Sequence, residues 1–229
     1  CWWTCENIRR TTRRRFLLMV VRSSTGNNDK EVITLFKSPL WIMEDELPKG
    51  AYEWALDYRK KNPSDVVKSN RGGYQSQNNL IEYKPSMNIF INDGDLEVES
   101  TNGFPYFQHI RNTLNKIKGM QNFIITDWWL NINEKGDSNL PHQHPGSDLS
   151  LIRYITHNEG LLNFQNPDLM SRHKLYARGL YGEGEENSKF VICPAGSLLV
   201  FPSDLIHRVD EHMLDTPRIS VSSNLLAKY

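Results

Sequence analysis

The stretch Pro194-Ala195-Gly196-Ser197-Leu198-Leu199-Val200-Phe201-Pro202-Ser203-Asp204-Leu205-Ile206-His207 decides how this chain folds. A turn, an apolar run of strand length and a second turn read as a buried strand that ends at Pro202-Ser203 and delivers His207 to the edge of a sheet. Outward from it the same punctuation repeats. Phe123–Asn133, Leu149–Ile155, Leu161–Phe164, Phe190–Ile192 and Arg218–Leu225 carry β-type runs, separated by turn residues at Gly136, Asn139-Leu140-Pro141, Gly160 and Thr216-Pro217. From residue 122 onward the chain therefore reads as an antiparallel sandwich or jelly roll.

The first half is different. Residues 31–43 read as one strand broken at Pro39 and resumed through Trp41-Ile42. A helix follows, entered at Asp45, Glu46 and Pro48, with Ala51, Trp54, Ala55 and Tyr58 at helical spacing and a stop at Asn62-Pro63. A second helix, Tyr106–Lys118, places Phe107, Ile110, Leu114 and Ile117 on one side, as suits a helix backing a sheet. Helices first and strands after give an α+β architecture. The charge-rich and Gly-rich stretch Asp168–Lys189 reads as a long loop and a candidate lid.

With 229 residues, 38% of them hydrophobic and 24% charged, the chain suits one domain with a substantial core. No apolar run approaches the roughly 18 residues of a membrane span. Formal net charge is zero, but Arg9, Arg10, Arg13, Arg14, Arg15 and Arg22 face only Glu6 in residues 1–26, which leaves the rest acidic and argues against a nucleic-acid partner. Residues 1–26 read as a basic N-terminal extension and 27–229 as a single domain. Met19 is a second candidate start, so no function is drawn from residues 1–18. Cys1, Cys5 and Cys193 form no pairing framework and no CxxC, which fits a reducing cytoplasm, and Cys193 reads as a core residue.

Three features carry chemistry. His142-Gln143-His144 follows the strand Phe123–Asn133 and a turn, and two imidazoles one residue apart on an extended chain point to the same side, as two ligands of one metal must. His207 is a third imidazole at a sheet edge. Arg218-Ile219-Ser220-Val221-Ser222-Ser223-Asn224 alternates so that Arg218, Ser220, Ser222 and Asn224 share one face. A cation leading a polar row on a core-like strand suits a dicarboxylate, because a guanidinium grips a carboxylate through two parallel hydrogen bonds. Taken singly, the His142/His144 pair and His207 are each more easily ordinary polar residues than a site, whereas the Arg218 face asks for a partner more than for solvent.

In this order, with the Leu149–Ile155 strand, Gly160-Leu161-Leu162-Asn163-Phe164 and Pro194–Ser203 between them, the features resemble the 2-oxoglutarate/Fe(II) oxygenase superfamily in its prolyl-hydroxylase-like form. Leu35–Trp41 and Ser69–Ser76 extend the likeness to the little-characterised 2-oxoglutarate/Fe(II) oxygenases of marine bacteria and phages. The resemblance implies a double-stranded β-helix with N-terminal supporting helices. It also implies Fe(II) on His142 and His207, 2-oxoglutarate as cosubstrate held by Arg218 and Ser220 with Tyr154 as a further hydrogen-bond donor, and O2 as oxidant. Hydroxylation with release of succinate and CO2 is the implied outcome.

One position departs from the family pattern. Its facial triad is two histidines and a carboxylate, and the carboxylate position here is His144. Either His144 completes a three-His set, or Asp148 swings in as third ligand. Spacing favours His144, since Asp148 requires Pro145-Gly146 to fold back. Arg71 and Tyr74 in the loop Ser69–Gln77 are candidate substrate contacts, with a plain connector as the alternative, and of Trp128 and Trp129 at most one can line a pocket. Two other readings stand beside the oxygenase: a cupin-type three-His metalloenzyme that does not use 2-oxoglutarate, and a non-enzymatic jelly-roll binding module. The expected substrate is a small molecule or a peptide, and the oligomeric state, a homodimer included, stays open.

Overall fold

A computed structural model describes residues 31–35, 38–78, 107–167 and 188–228. Among these residues, twelve strands form two sheets. They are β1 (Glu31–Leu35), β2 (Ser38–Glu44), β3 (Asn70–Arg71), β4 (Tyr74–Gln75), β5 (Phe123–Asn133), β6 (Ser138–His142), β7 (Leu149–Tyr154), β8 (Asn158–Gln165), β9 (Ser188–Cys193), β10 (Ser197–Pro202), β11 (His207–Val209) and β12 (Arg218–Ala227). The larger sheet has the order β1-β2-β10-β7-β12-β5-β4 and the smaller β3-β6-β11-β8-β9, with every pairing antiparallel. From β5 to β12 the chain alternates between the sheets and reverses through the β8–β9 hairpin. Each strand therefore pairs with one distant in sequence: β5 with β12, β6 with β11, β7 with β10.

Period-2 alternation assigns the two faces of the larger sheet. Leu198 and Val200 of β10, Leu151 of β7, Ile219, Val221 and Leu225 of β12, and Trp128, Leu130 and Ile132 of β5 point outward into one apolar cluster. Two helices close it. From α1 (Ala51–Lys61) come Ala51, Ala55 and Tyr58; from α2 (Phe107–Leu114) come Ile110 and Leu114, with Ile117 just beyond. The intervening residues point between the sheets, where Ile152, Tyr154, Leu199, Phe201, Leu162, Phe164, Val191 and Cys193 form the second cluster. Cys193 is thus a core thiol.

Helix α1 begins and ends where the sequence says. Ala51 N–H donates to Pro48 O at 3.3 Å, and the Asn62 backbone N–H and Nδ2 both donate to Tyr58 O at 2.9 Å before Pro63 forbids another turn. Two expectations need correction. The segment 31–43 is a hairpin rather than one strand broken at Pro39: Leu35 lies opposite Ser38, and Pro39 opposite Thr34. Pro39 is tolerated because β10 pairs only with Trp41–Glu44, so no ladder bond from the β10 side is asked of it. Helix α2 stops at Leu114 rather than Lys118, and tighter i→i+3 bonds (Lys116 N–H to Thr113 O, Ile117 N–H to Leu114 O) still bury Ile117. The candidate lid at Asp168–Lys189 lies almost wholly outside the described residues. Among those described, no helix is long and apolar enough to cross a membrane.

Candidate metal and cosubstrate site

The smaller sheet brings the histidines together. His142, the last residue of β6, and His207, the first of β11, are cross-strand partners, and their rings lie 4.3 Å apart between centroids. His144 follows two residues after β6, fixed by its backbone N–H donating to Ser203 O at 2.9 Å; its ring is 5.3 Å from His142 and 5.1 Å from His207. One ring nitrogen from each of the three lies within 4.8 Å of the others. His207 is buried against Phe164 and Phe201, while His142 and His144 are half-buried.

Which nitrogens face the gap follows from the hydrogen bonds. The His142 Nδ1–H donates to Leu140 O at 2.7 Å and the His207 Nδ1–H to Leu205 O at 2.9 Å, because a carbonyl can only accept. His144 Nδ1 lies 2.6 Å from Asn224 Oδ1, and the orientation of that amide is set by Asn224 Nδ2 donating to Asp127 Oδ2 at 2.6 Å. His144 must therefore donate from Nδ1 too. All three neutral rings keep an Nε2 lone pair, the form in which imidazole ligates a metal. Burial holds His142 and His144 below the ordinary imidazole range and pushes His207 down to about 3, with the neighbouring His142 adding to the effect on His207. The donor set fits a divalent transition metal and needs no proton removed first.

Asp148 is not among the converging groups. Its carboxylate Oδ2 accepts from Ala227 N–H at 2.6 Å, and its backbone carbonyl accepts from Ser203 N–H at 3.0 Å. The structure brings His144, and not Asp148, to the other two histidines.

Arg218 enters the same cavity from the larger sheet. Its side chain is buried, with Nη1 donating to Asn133 Oδ1 at 3.0 Å and Nη2 to Tyr154 Oη at 3.3 Å, and its guanidinium carbon lies 5.2 Å from the centre of the Tyr154 ring. Its Nε is buried without a partner. An unpaired buried guanidinium nitrogen is costly unless an anion arrives. Ser220, one step along the same face, also borders the cavity, so the donor types fit the distal carboxylate of a 2-oxo diacid chelating at the histidines. Tyr154 is fully buried beneath Arg218 and is not part of the cavity wall; burial holds its phenol well above its ordinary value.

The cavity measures about 510 Å³. Trp129 and Asn131 of β5, Gln75 of β4 and Lys68, Ser69 and Asn78 beside it continue the wall, and among the described residues no aspartate or glutamate borders it. Trp129 lies 5.5 Å from His144, whereas Trp128 is core. Arg71 does not border the cavity; its Nη1 donates to Asn70 O. Tyr74 belongs to the apolar cluster and donates to Asn62 O at 2.8 Å, so neither candidate contact lines the cavity, and the loop reaches it through Ser69 and Gln75 instead. Sequence reasoning missed Asn133 as the partner of Arg218 and Asp127 behind Asn224. Asn224 could be found, since it continues the polar period of Arg218; nothing in the sequence marks Asp127.

Residues 127–224 match the family model described as "Putative 2OG-Fe(II) oxygenase". No curated protein matches. Among solved structures, HygX from Streptomyces hygroscopicus with nickel, 2-oxoglutarate and hygromycin B bound aligns over 83% of this chain and 83% of its own, at 9% identity and a TM-score of 0.51. A Pseudomonas putida prolyl-4-hydroxylase aligns over 83% and 93% at 15% identity, TM-score 0.45. The epimerase SnoN from nogalamycin biosynthesis aligns over 46% of this chain and 47% of its own at 14% identity, TM-score 0.37, so the chain spans about half of that protein. HygX supports the two-sheet fold. The segment that matches this family model, residues 127–224, holds the three histidines, Arg218 and Asn224.

Proposed function

We propose that the chain is an Fe(II)- and 2-oxoglutarate-dependent dioxygenase whose single catalytic domain, residues 27–229, is a double-stranded β-helix with N-terminal supporting helices. The observation that carries the reading is the buried guanidinium of Arg218, held by the neutral Asn133 and Tyr154 and with its Nε unpartnered, in the lining of the cavity that the three histidines share. A cupin-type three-His enzyme leaves that cation without purpose, and a binding module leaves both unexplained.

When bound, the metal and 2-oxoglutarate together let O2 oxidise a C–H bond, one oxygen atom ending as a hydroxyl on the substrate and the other in succinate, with CO2 released. The chain's own residues hold and orient. His142, His144 and His207 would hold the metal through three Nε2 donors, their tautomers fixed by Leu140, Asn224 and Leu205. Arg218 and Ser220 fix the far carboxylate of the cosubstrate, and Asn133 and Tyr154 keep the guanidinium from swinging away. Phe164 and Phe201 shield His207 from water. The substrate, a small molecule or a peptide, meets the wall of Trp129, Asn131, Gln75 and Asn78.

Anaerobic titration with Fe(II) and 2-oxoglutarate tests this. A visible metal-to-ligand charge-transfer band is expected in the wild type, together with succinate release in air. In Arg218→Ala, metal binding should persist while the band weakens and succinate release falls by about 100-fold, the equivalent of losing charge-assisted hydrogen bonds. Unchanged turnover in that variant refutes the reading.

A further inference from the structure

A site of three neutral imidazoles leaves the double positive charge of a metal uncompensated, whereas a facial triad with one carboxylate offsets half of it. Resting on the three-His reading above, the next layer of residues contains the missing anion. We propose that Asp127 is the counter-charge of this metal site, acting through the Asn224 carboxamide on His144, the residue at the carboxylate position.

The geometry is a continuous relay. Asp127 Oδ2 accepts from Asn224 Nδ2 at 2.6 Å, and Asn224 Oδ1 accepts from His144 Nδ1 at 2.6 Å. Both bonds are short, and the amide can stand in only one orientation between a carboxylate and an N–H donor. Polarisation along such a chain makes the His144 Nε2 lone pair more basic. The backbone is shaped for it. Asp127 lies opposite Asn224 in the β5–β12 ladder, and the register slips immediately afterwards, where Leu225 pairs with Ile125 and Thr126 is the extra residue. That bulge lets Asp127 keep the same face as Trp129 and Asn131 while the rest of β5 returns to the opposite alternation. Thr126 Oγ1 caps the turn by donating to Asn224 O at 3.3 Å and lies 3.4 Å from Asp127 Oδ2. On the other side, Ser150 Oγ lies 3.0 Å from His144 Nδ1 and 2.8 Å from Ser203 Oγ, so the bridge is walled by hydroxyls rather than by another charge. His142 and His207 differ: each Nδ1 donates to a backbone carbonyl, and neither has a carboxylate behind it. Asp127 is a positioning residue in this scheme, since it touches neither metal nor substrate.

The test is metal affinity without turnover, using Co(II) alone with the full chain, followed by its ligand-field spectrum. Wild type should bind one Co(II) per chain; failure to do so would overturn the three-His reading itself. Asp127→Asn, which keeps size and can still accept from Asn224, should weaken Co(II) binding by about 10-fold or more, the range for outer-layer partners, with the metal-free melting temperature unchanged. The double variant Asp127→Asn with Asn224→Asp moves the carboxylate one step inward, preserves net charge and the hydrogen-bond chain, and should restore wild-type affinity or exceed it. Wild-type affinity in Asp127→Asn, or no rescue in the double variant, overturns the proposal while leaving the three-His site standing. A merely structural role for Asp127 predicts that second result, because the double change would disturb packing twice.

Discussion

His207 is the most constrained residue in the site. Burial against two phenylalanines and the neighbouring His142 push its pKa down to about 3, so in the folded chain it stays neutral while an unfolded chain takes up a proton near 6.5. As pH falls through that interval the unfolded state binds the extra proton, and stability present above about 6.5 is progressively lost toward 3. His142 and His144, also held low by burial, act in the same direction. Metal-free protein should therefore melt at a lower temperature at pH 5 than at pH 7.5, and His207→Gln, which cannot titrate, should show a shallower dependence. Parallel pH dependences in the two proteins would mean that His207 is not the buried neutral base described here. The same neutrality favours metal capture, since no proton competes for Nε2 at neutral pH.

At the level of elements, the part of the cavity wall supplied by Ser69 and Gln75 depends on one corner. Strand β3 belongs to the smaller sheet and β4 to the larger, and Gly72-Gly73 carry the chain across between them with φ of 68° and 70°. A Cβ on Gly73 would sit 2.9 Å from Ile132 O, the strand that β4 pairs with, whereas one on Gly50, also at positive φ, would meet nothing within 4 Å. Gly50→Ala pays only for backbone strain, about 1 kcal/mol; Gly73→Ala adds the displacement of β4 from β5. Its melting temperature should fall several degrees further than that of Gly50→Ala, and equal losses would show that the corner is not close-packed. This corner also marks where the sequence stops being readable. Long runs such as β5, β7, β10 and β12 are legible because they reach full strand length, β10 apolar on both faces and β5 and β12 with one apolar face and one that answers to the cavity. Four short strands, β3, β4, β6 and β11, escape, and two of them carry His142 and His207. Each has at most five residues, too few for alternation to register, and what makes them strands is pairing across the fold. The residues of the site were legible as a set, Arg218 through Asn224 by period and the histidines by spacing. Their support was not: Asn133 and Asp127 read as ordinary polar residues of a strand until β12 is laid beside β5.

On the scale of the whole molecule, the site straddles the two sheets. His142 and His207 belong to the smaller sheet; Arg218, Ser220 and the Asn224 that orients His144 belong to the larger. A metal at the histidines and a diacid running from it to Arg218 would tie the layers together, and ligands that bind only the folded chain stabilise it by mass action. At about 100 times its dissociation constant a ligand contributes roughly 2.7 kcal/mol, or about 5–10 °C in melting temperature for a chain of this size. Co(II) alone should raise the melting temperature of metal-free protein by that order. 2-Oxoglutarate alone should add little, because its chelating end has no partner, but with Co(II) present it should add a further rise of several degrees. That second increment should vanish in Arg218→Ala while the first remains. A three-His enzyme without a cosubstrate predicts the metal increment only, and a binding module predicts neither. Thermal unfolding of two proteins under four ligand conditions thus separates the three readings without knowledge of the substrate.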